Sequence, residues 1–184
     1  MRHLCMFGQT GTVVAGAVKA PADTSALTAL YRENLNGLIR MAVLLVGDEA
    51  SAEDVVQDVF VRLQRSMPDL RDETKLLAYV RSAVLNGCRS VLRRRKLAFL
   101  RERAAPAAEI WSAESEAILG EDRREVLRAL TRLPGRQREA LVLRYYIDLA
   151  DEEIAEAMGI RASTARSTLA RALQALAREL GEQR

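Results

Sequence analysis

Ser163, Thr164, Ser167 and Arg171 recur at helical spacing near the end of the chain, which gathers them on one face of a helix. Short hydroxyls and a guanidinium on such a face can hydrogen-bond base edges and neutralise phosphates. A second set, Ser82, Asn86, Arg89, Arg93 and Lys96, falls together when residues 75–97 are projected at 100° per residue. That stripe carries one sign of charge, and the run Arg93, Arg94, Arg95, Lys96 extends it into a cluster suited to phosphates. The same run also reads as a solubilising helix end whose cations favour the C-terminal dipole. Tyr79 borders the stripe, where its ring can stack on an unpaired base or cap the core. A third set, Asp54, Gln57, Asp58 and Val61, presents carboxylates, an amide and an apolar neighbour on one helix face. It can dock a basic partner surface, or serve as a solvated face whose carboxylates favour the helix N-terminus.

The elements that position these sets are helical by period. Leu27, Leu30, Tyr31, Leu38, Ile39, Ala42, Leu45 and Val46 give an apolar stripe ended by Gly47 and Asp48. Ser51 with Asp54 has the spacing of a capping box, and Val55, Val56, Val59, Phe60 and Leu63 cover the buried face of the helix that follows. Pro68 closes that helix, and 69–74 is a polar loop. The long helix over 75–97 buries Leu77, Val80, Val84, Cys88 and Val91. Apolar period fades from 98 to 117, where Pro106 interrupts any helix and Trp111 is an anchor onto a neighbouring domain. Beyond it come a helix with Val126, Leu127, Leu130 and Leu133, a Pro134-Gly135 break, and a helix whose core is Ala140, Leu141, Leu143 and Tyr145 or Tyr146. In 151–180 an acidic helix stops at Gly159, and a second helix buries Ala165, Leu169, Ala172, Leu173, Leu176 and Leu180. Small Ala155 and the turn at Gly159 give the corner of a helix-turn-helix.

Composition excludes several classes. The 184 residues are 49% hydrophobic but only 4% aromatic, so Leu, Val and Ala must build the core, which favours an all-α fold. A net charge of +3 leans only weakly toward polyanions, so the arrangement of charge carries the argument. Cys5, Cys88 and the single His3 make neither a disulfide framework nor a metal site, and a reducing cytoplasm fits. The Gly8–Thr12 region lacks the Lys-Ser/Thr ending of a phosphate loop, and no general base is visible, so no enzyme and no cofactor or small-molecule substrate is expected. Interrupting Thr, Gln and Gly residues argue against a signal peptide or membrane insertion near the start. The expected organisation is a variable tail at 1–24, a helical domain at 25–97, a flexible linker at 98–117 and a helix-turn-helix domain at 118–184.

Four segments in order carry a family resemblance. AEDVVQDVF at 52–60, AYVRSAVLN at 78–86 with its following basic run, LPGRQREALVLRYY at 133–146 and TARSTLARA at 164–172 resemble the motifs of bacterial extracytoplasmic-function sigma factors of RNA polymerase. That family keeps two small helical domains, sigma region 2 and sigma region 4. The resemblance implies that Asp54, Gln57, Asp58 and Val61 dock the β′ clamp helices of core RNA polymerase. It implies that Tyr79, Ser82, Asn86, Arg89, Arg93 and Lys96 hold the −10 element of promoter DNA and its melted strand, with loop 68–74 part of a pocket for a flipped base. It further implies that Ser163, Thr164, Arg166, Ser167 and Arg171 meet the −35 element while the surrounding domain rests on the β flap. Arg166 keeps the charge of the family's usual Lys, whereas Thr168 stands where a phosphate-binding Arg is common. Family members are commonly held by an anti-sigma factor that clamps both domains. The alternative is a helix-turn-helix regulator that binds DNA without polymerase, and the Asp54, Gln57, Asp58 face separates the two.

Overall fold

The computed structural model describes residues 24–65, 73–102 and 121–181. The tail up to residue 23, the loop around Pro68 and the linker around Trp111 lie outside them. Three helices form a first block: α1 (Thr24–Val46), α2 (Glu49–Arg65) and α3 (Glu73–Glu102). A second block holds α4 (Glu121–Arg132), α5 (Gly135–Leu141), α6 (Asp151–Met158) and α7 (Ala162–Gly181), with no strand among the described residues.

The 3.6-residue stripes of α1–α3 converge on one core. Leu38, Met41, Ala42 and Leu45 of α1 are buried with Val55, Val56, Val59, Phe60 and Leu63 of α2. Tyr31 meets Phe60 edge to face, with centroids 4.9 Å apart at 87°. In α3 the buried set is Leu76, Val80, Val84, Leu85, Cys88 and Val91; Leu77, expected inside, is half-buried beside it. The α1–α2 corner departs from the expected cap. Helix α2 begins at Glu49, and Asp48 rather than Ser51 supplies the cap, its Oδ1 accepting the Ser51 amide at 2.9 Å. Burial works against ionisation of Asp48, but the Ser51 amide and the Arg95 guanidinium prevail and hold its carboxyl below the usual range.

In the second block α5 continues into a wider turn over Val142–Tyr146, in which the Ile147 amide reaches back to the Val142 carbonyl at 3.1 Å. This widening shifts the register. Val142 and Leu143 turn inward, whereas Tyr145 is 66% exposed and Tyr146 also faces out, contrary to the core role expected of one of them. Helix α6 ends at Gly159, whose φ of 66° and ψ of 42° suit a residue without a Cβ. On α7 the inward face is Ala165, Thr168 and Ala172, with Leu169 and Leu176 partly covered. Leu173, expected inside, is exposed.

The two blocks are packed together. A continuous buried cluster joins Leu45, Val46, Val80 and Val84 to Ala140, Val142, Leu143, Leu149, Ile154 and Ala157. Arg138, buried on α5, donates from Nη1 to the Leu45 carbonyl at 2.7 Å and from Nη2 to the Thr131 carbonyl at 2.6 Å. It thereby caps the end of α1 from the second block, and burial lowers its pKa.

Candidate nucleic-acid interface

Helix α3 carries the first basic surface. Arg93, Arg94 and Lys96 are exposed on its C-terminal half, as the one-signed stripe predicts. Arg95, in the same run, is a structural residue: it donates to the Val46 carbonyl at 2.7 Å, pairs with Asp48 and reaches Ser51 Oγ at 2.7 Å, clamping the α1–α2 corner. The sequence run therefore divides into solvent-facing and corner-holding cations. Beside them an open groove is lined by Arg62 and Arg65 of α2 and by Tyr79, Asn86, Ser90 and Arg93 of α3. Tyr79 is 48% exposed there, so its ring is presented rather than packed into the core. Nothing in the sequence singles out Arg62 and Arg65, because their membership depends on how α2 lies against α3. Gly87 sets that approach, since a Cβ there would lie 2.6 Å from Val55 Cγ1.

Ser82 and Arg89 behave differently from the rest of the stripe. Ser82 Oγ donates to the Ala157 carbonyl of α6 at 2.8 Å. Arg89 grips the Glu139 carboxylate with two bonds, Nε to Oε1 at 2.8 Å and Nη2 to Oε2 at 2.6 Å, and its Nη1 donates to Asn86 Oδ1 at 2.7 Å. The projection sets both on an open face, but both are half-buried because the second block packs there. Cys88, on the core side of α3, is pushed up to about 12 by burial, with the Glu139 charge adding to the effect, so its thiol stays protonated.

Asp54, Gln57, Asp58 and Val61 are all exposed on α2, with Asp58 at the rim of the groove shared with α3. Asp58 pairs with Arg62 one turn on, at 3.1 Å and with both side chains open to solvent, an ion pair of small consequence. An apolar groove lined by Tyr31, Gln57, Phe60 and Val61 adjoins it.

Helix α7 presents the third surface. Ser163, Thr164, Arg166, Ser167 and Arg171 are all exposed. Ser167 Oγ donates to the Thr164 carbonyl at 3.1 Å and Arg171 Nε to the Ser167 carbonyl at 3.1 Å, so both are steadied on their own helix. Thr168 is 7% exposed and faces the core, which removes it from the reading surface altogether. Asp151, at the start of α6, pairs with Arg144 and lies 3.2 Å from Arg166 Nε. One carboxylate thus ties the turn before α6 to the start of α7. The Glu153 carboxylate accepts the Ala150 amide at 2.8 Å and fixes the first turn of α6.

Among the described residues no cluster of His, Cys, Asp and Glu could hold a metal, and no helix is long and apolar enough to cross a membrane.

Comparison with known proteins assigns both blocks. Residues 30–98 match sigma-70 region 2, and residues 123–176 match sigma-70 region 4. The chain is 34% identical over 149 residues to the RNA polymerase sigma-E factor of Streptomyces avermitilis, covering 81% of this chain and 82% of that protein. It is 30% identical over 168 residues to the ECF RNA polymerase sigma factor SigM of Mycobacterium tuberculosis, covering 90% and 82%. Among solved structures, the sigma factor RpoE of Bartonella quintana, crystallised with the anti-sigma factor NepR, superposes with a TM-score of 0.64 at 24% identity, covering 85% of this chain and 99% of that one. CnrH in complex with the cytosolic domain of CnrY gives 0.67 at 21%, covering 89% and 92%. With the two helical blocks matching in order and relatives alike over most of their length, this chain belongs to the extracytoplasmic-function sigma factors of RNA polymerase.

Proposed function

We propose that this sigma factor divides promoter recognition among the three surfaces described. The exposed Asp54, Gln57, Asp58, Val61 face of α2 docks the β′ clamp helices of core polymerase. The α3 groove takes the −10 element: Arg93 and Lys96 neutralise phosphates, Tyr79 stacks on an unpaired base, and Asn86 with Ser82 and Arg89 lines the track for the melted strand. Helix α7 enters the major groove of the −35 element, with Ser163, Thr164 and Ser167 toward base edges and Arg166 and Arg171 toward phosphates or guanine. The exposed apolar patch of Val126, Tyr145, Tyr146 and Leu173 suits the β flap. Control by an anti-sigma factor is supported by the family and by the anti-sigma factor NepR with which RpoE was co-crystallised. The protein acts in the cytoplasm with polymerase and has no catalytic chemistry of its own.

The observation that carries this reading is a carboxylate, amide and valine set exposed on α2, reaching from the rim of the basic α3 groove onto the apolar groove of Tyr31 and Phe60. A regulator acting on duplex DNA alone has no use for such a set. Asp58→Arg places a cation on the docking face and should abolish co-purification with core polymerase and run-off transcription, while the isolated protein keeps its fold by circular dichroism. Unchanged co-purification would remove α2 as the polymerase surface.

A further inference from the structure

Region 4 lies across part of the α3 face, and the contact is chemical as well as steric. Glu139 is buried and takes both arms of Arg89, with Arg136 Nη1 at 3.2 Å from the same carboxylate. Ser82 is spent on the Ala157 carbonyl. Farther along, a cleft between α3 and α6 sets Lys75 and Arg81 opposite Glu153 and Glu156. Burial lowers the Arg81 pKa, and the Glu153 charge partly restores it. Carboxylates of the second block thus occupy positions along α3 where a nucleic-acid backbone would place its phosphates. The α2 docking face is untouched by this contact, its four residues all exposed.

We propose that the free protein is self-masked: Glu139 and the acidic edge of α6 act as an intramolecular stand-in for the DNA strand, closing region 4 over Ser82 and Arg89 until polymerase pulls the blocks apart. The proposal rests on the reading of α3 as the strand-holding surface. It differs from control by a separate protein in that the competing anion is carried in the same chain. A bidentate carboxylate satisfies the guanidinium geometry as well as a phosphate does, so strand and Glu139 cannot hold Arg89 together.

The test uses the full chain with Cys5→Ser and with dyes at Gln64→Cys and Gln174→Cys, one on each block. Glu139→Gln keeps the shape of the side chain and removes its charge. It should lengthen the inter-dye distance. It should also tighten binding of a fluorescein-labelled, random-sequence single-stranded DNA of about 15 nucleotides. The gain should be about three- to tenfold, as when an open form populated at about one-third to one-tenth becomes dominant. Glu153→Gln with Glu156→Gln, which preserves the amide cap because Gln can replace Glu there, should shift both readouts the same way by less. If Glu139→Gln loses its cooperative melt, that double variant decides. An unchanged distance beside measurable DNA binding overturns the closure. A lengthened distance with measurable but unchanged binding overturns the masking. A lengthened distance with no DNA binding by any of the proteins overturns the strand-holding reading of α3, and the masking with it, while co-purification of Asp58→Arg with core polymerase tests the α2 docking face independently.

Discussion

Arg171 and Arg95 show how little residue type says about role. Both are guanidinium groups on the helices proposed to face DNA, yet among the described residues Arg95 makes three contacts with the α1–α2 corner and Arg171 makes one, to its own backbone. Arg171 is therefore free to redirect its Nη groups toward a promoter. Arg171→Ala should weaken binding of a −35 duplex, presented by the polymerase holoenzyme, by about 1–3 kcal/mol if it reads a base. If it touches phosphate, the loss is spread evenly over sequences and the salt slope falls by about one. A filter-binding titration across salt concentrations separates the two, and no change in either removes Arg171 from the reading surface. Thr168 is legible in the sequence only as a missing cation in the family pattern. Its burial explains the absence differently: a charged side chain at that inward position would need a partner in the core.

At the scale of elements, the crossing of α2 and α3 turns on one glycine. Gly87 lets Val55 approach to a distance that no ordinary Cβ contact allows. Gly87→Ala gains about 1 kcal/mol of helix propensity but forces a stiff, buried valine aside. Overpacking of this kind costs about 1–3 kcal/mol, so a net destabilisation of about 1–2 kcal/mol is expected in urea unfolding, with the groove of Tyr79 and Arg62 widened. Equal or greater stability would show that the crossing relaxes without strain. The stripes of α1, α2 and α3 are readable because a 3.6-residue period maps directly onto a buried face. The same projection fails at Tyr145 and Tyr146, where the i→i+5 turn adds a residue to the period and rotates everything after Val142. The α2 cap lies one turn earlier than the spacing suggests because Asp48 and Ser51 are both good capping types, and only the observed bond to the Ser51 amide chooses between them. Ser82 and Arg89 cannot be read as covered, since their partners lie 75 and 50 residues away in the second block.

For the whole molecule, Arg138 is the residue through which the second block finishes the first. Its Nη1 caps the Leu45 carbonyl, and its Nη2 caps the Thr131 carbonyl in the last turn of α4. Arg138→Met fills much of the same space but leaves buried carbonyls without donors. It should cost about 2–4 kcal/mol, because hydrogen bonds to charged groups are strong and their buried partners are expensive to abandon. A lower urea midpoint is the expected measurement; an unchanged one would mean that water takes over both carbonyls.

The exposure of α2 while α3 is partly covered also bears on where the protein spends its time in a cell. A genome offers about a million or more non-specific sites, and a permanently open basic face would be drawn onto them by counterion release. A factor that hides part of its cationic surface yet leaves its polymerase surface bare is spared that sink. On the masking proposed, its free pool would stay in solution, competing for the scarce enzyme rather than dispersed along bulk DNA.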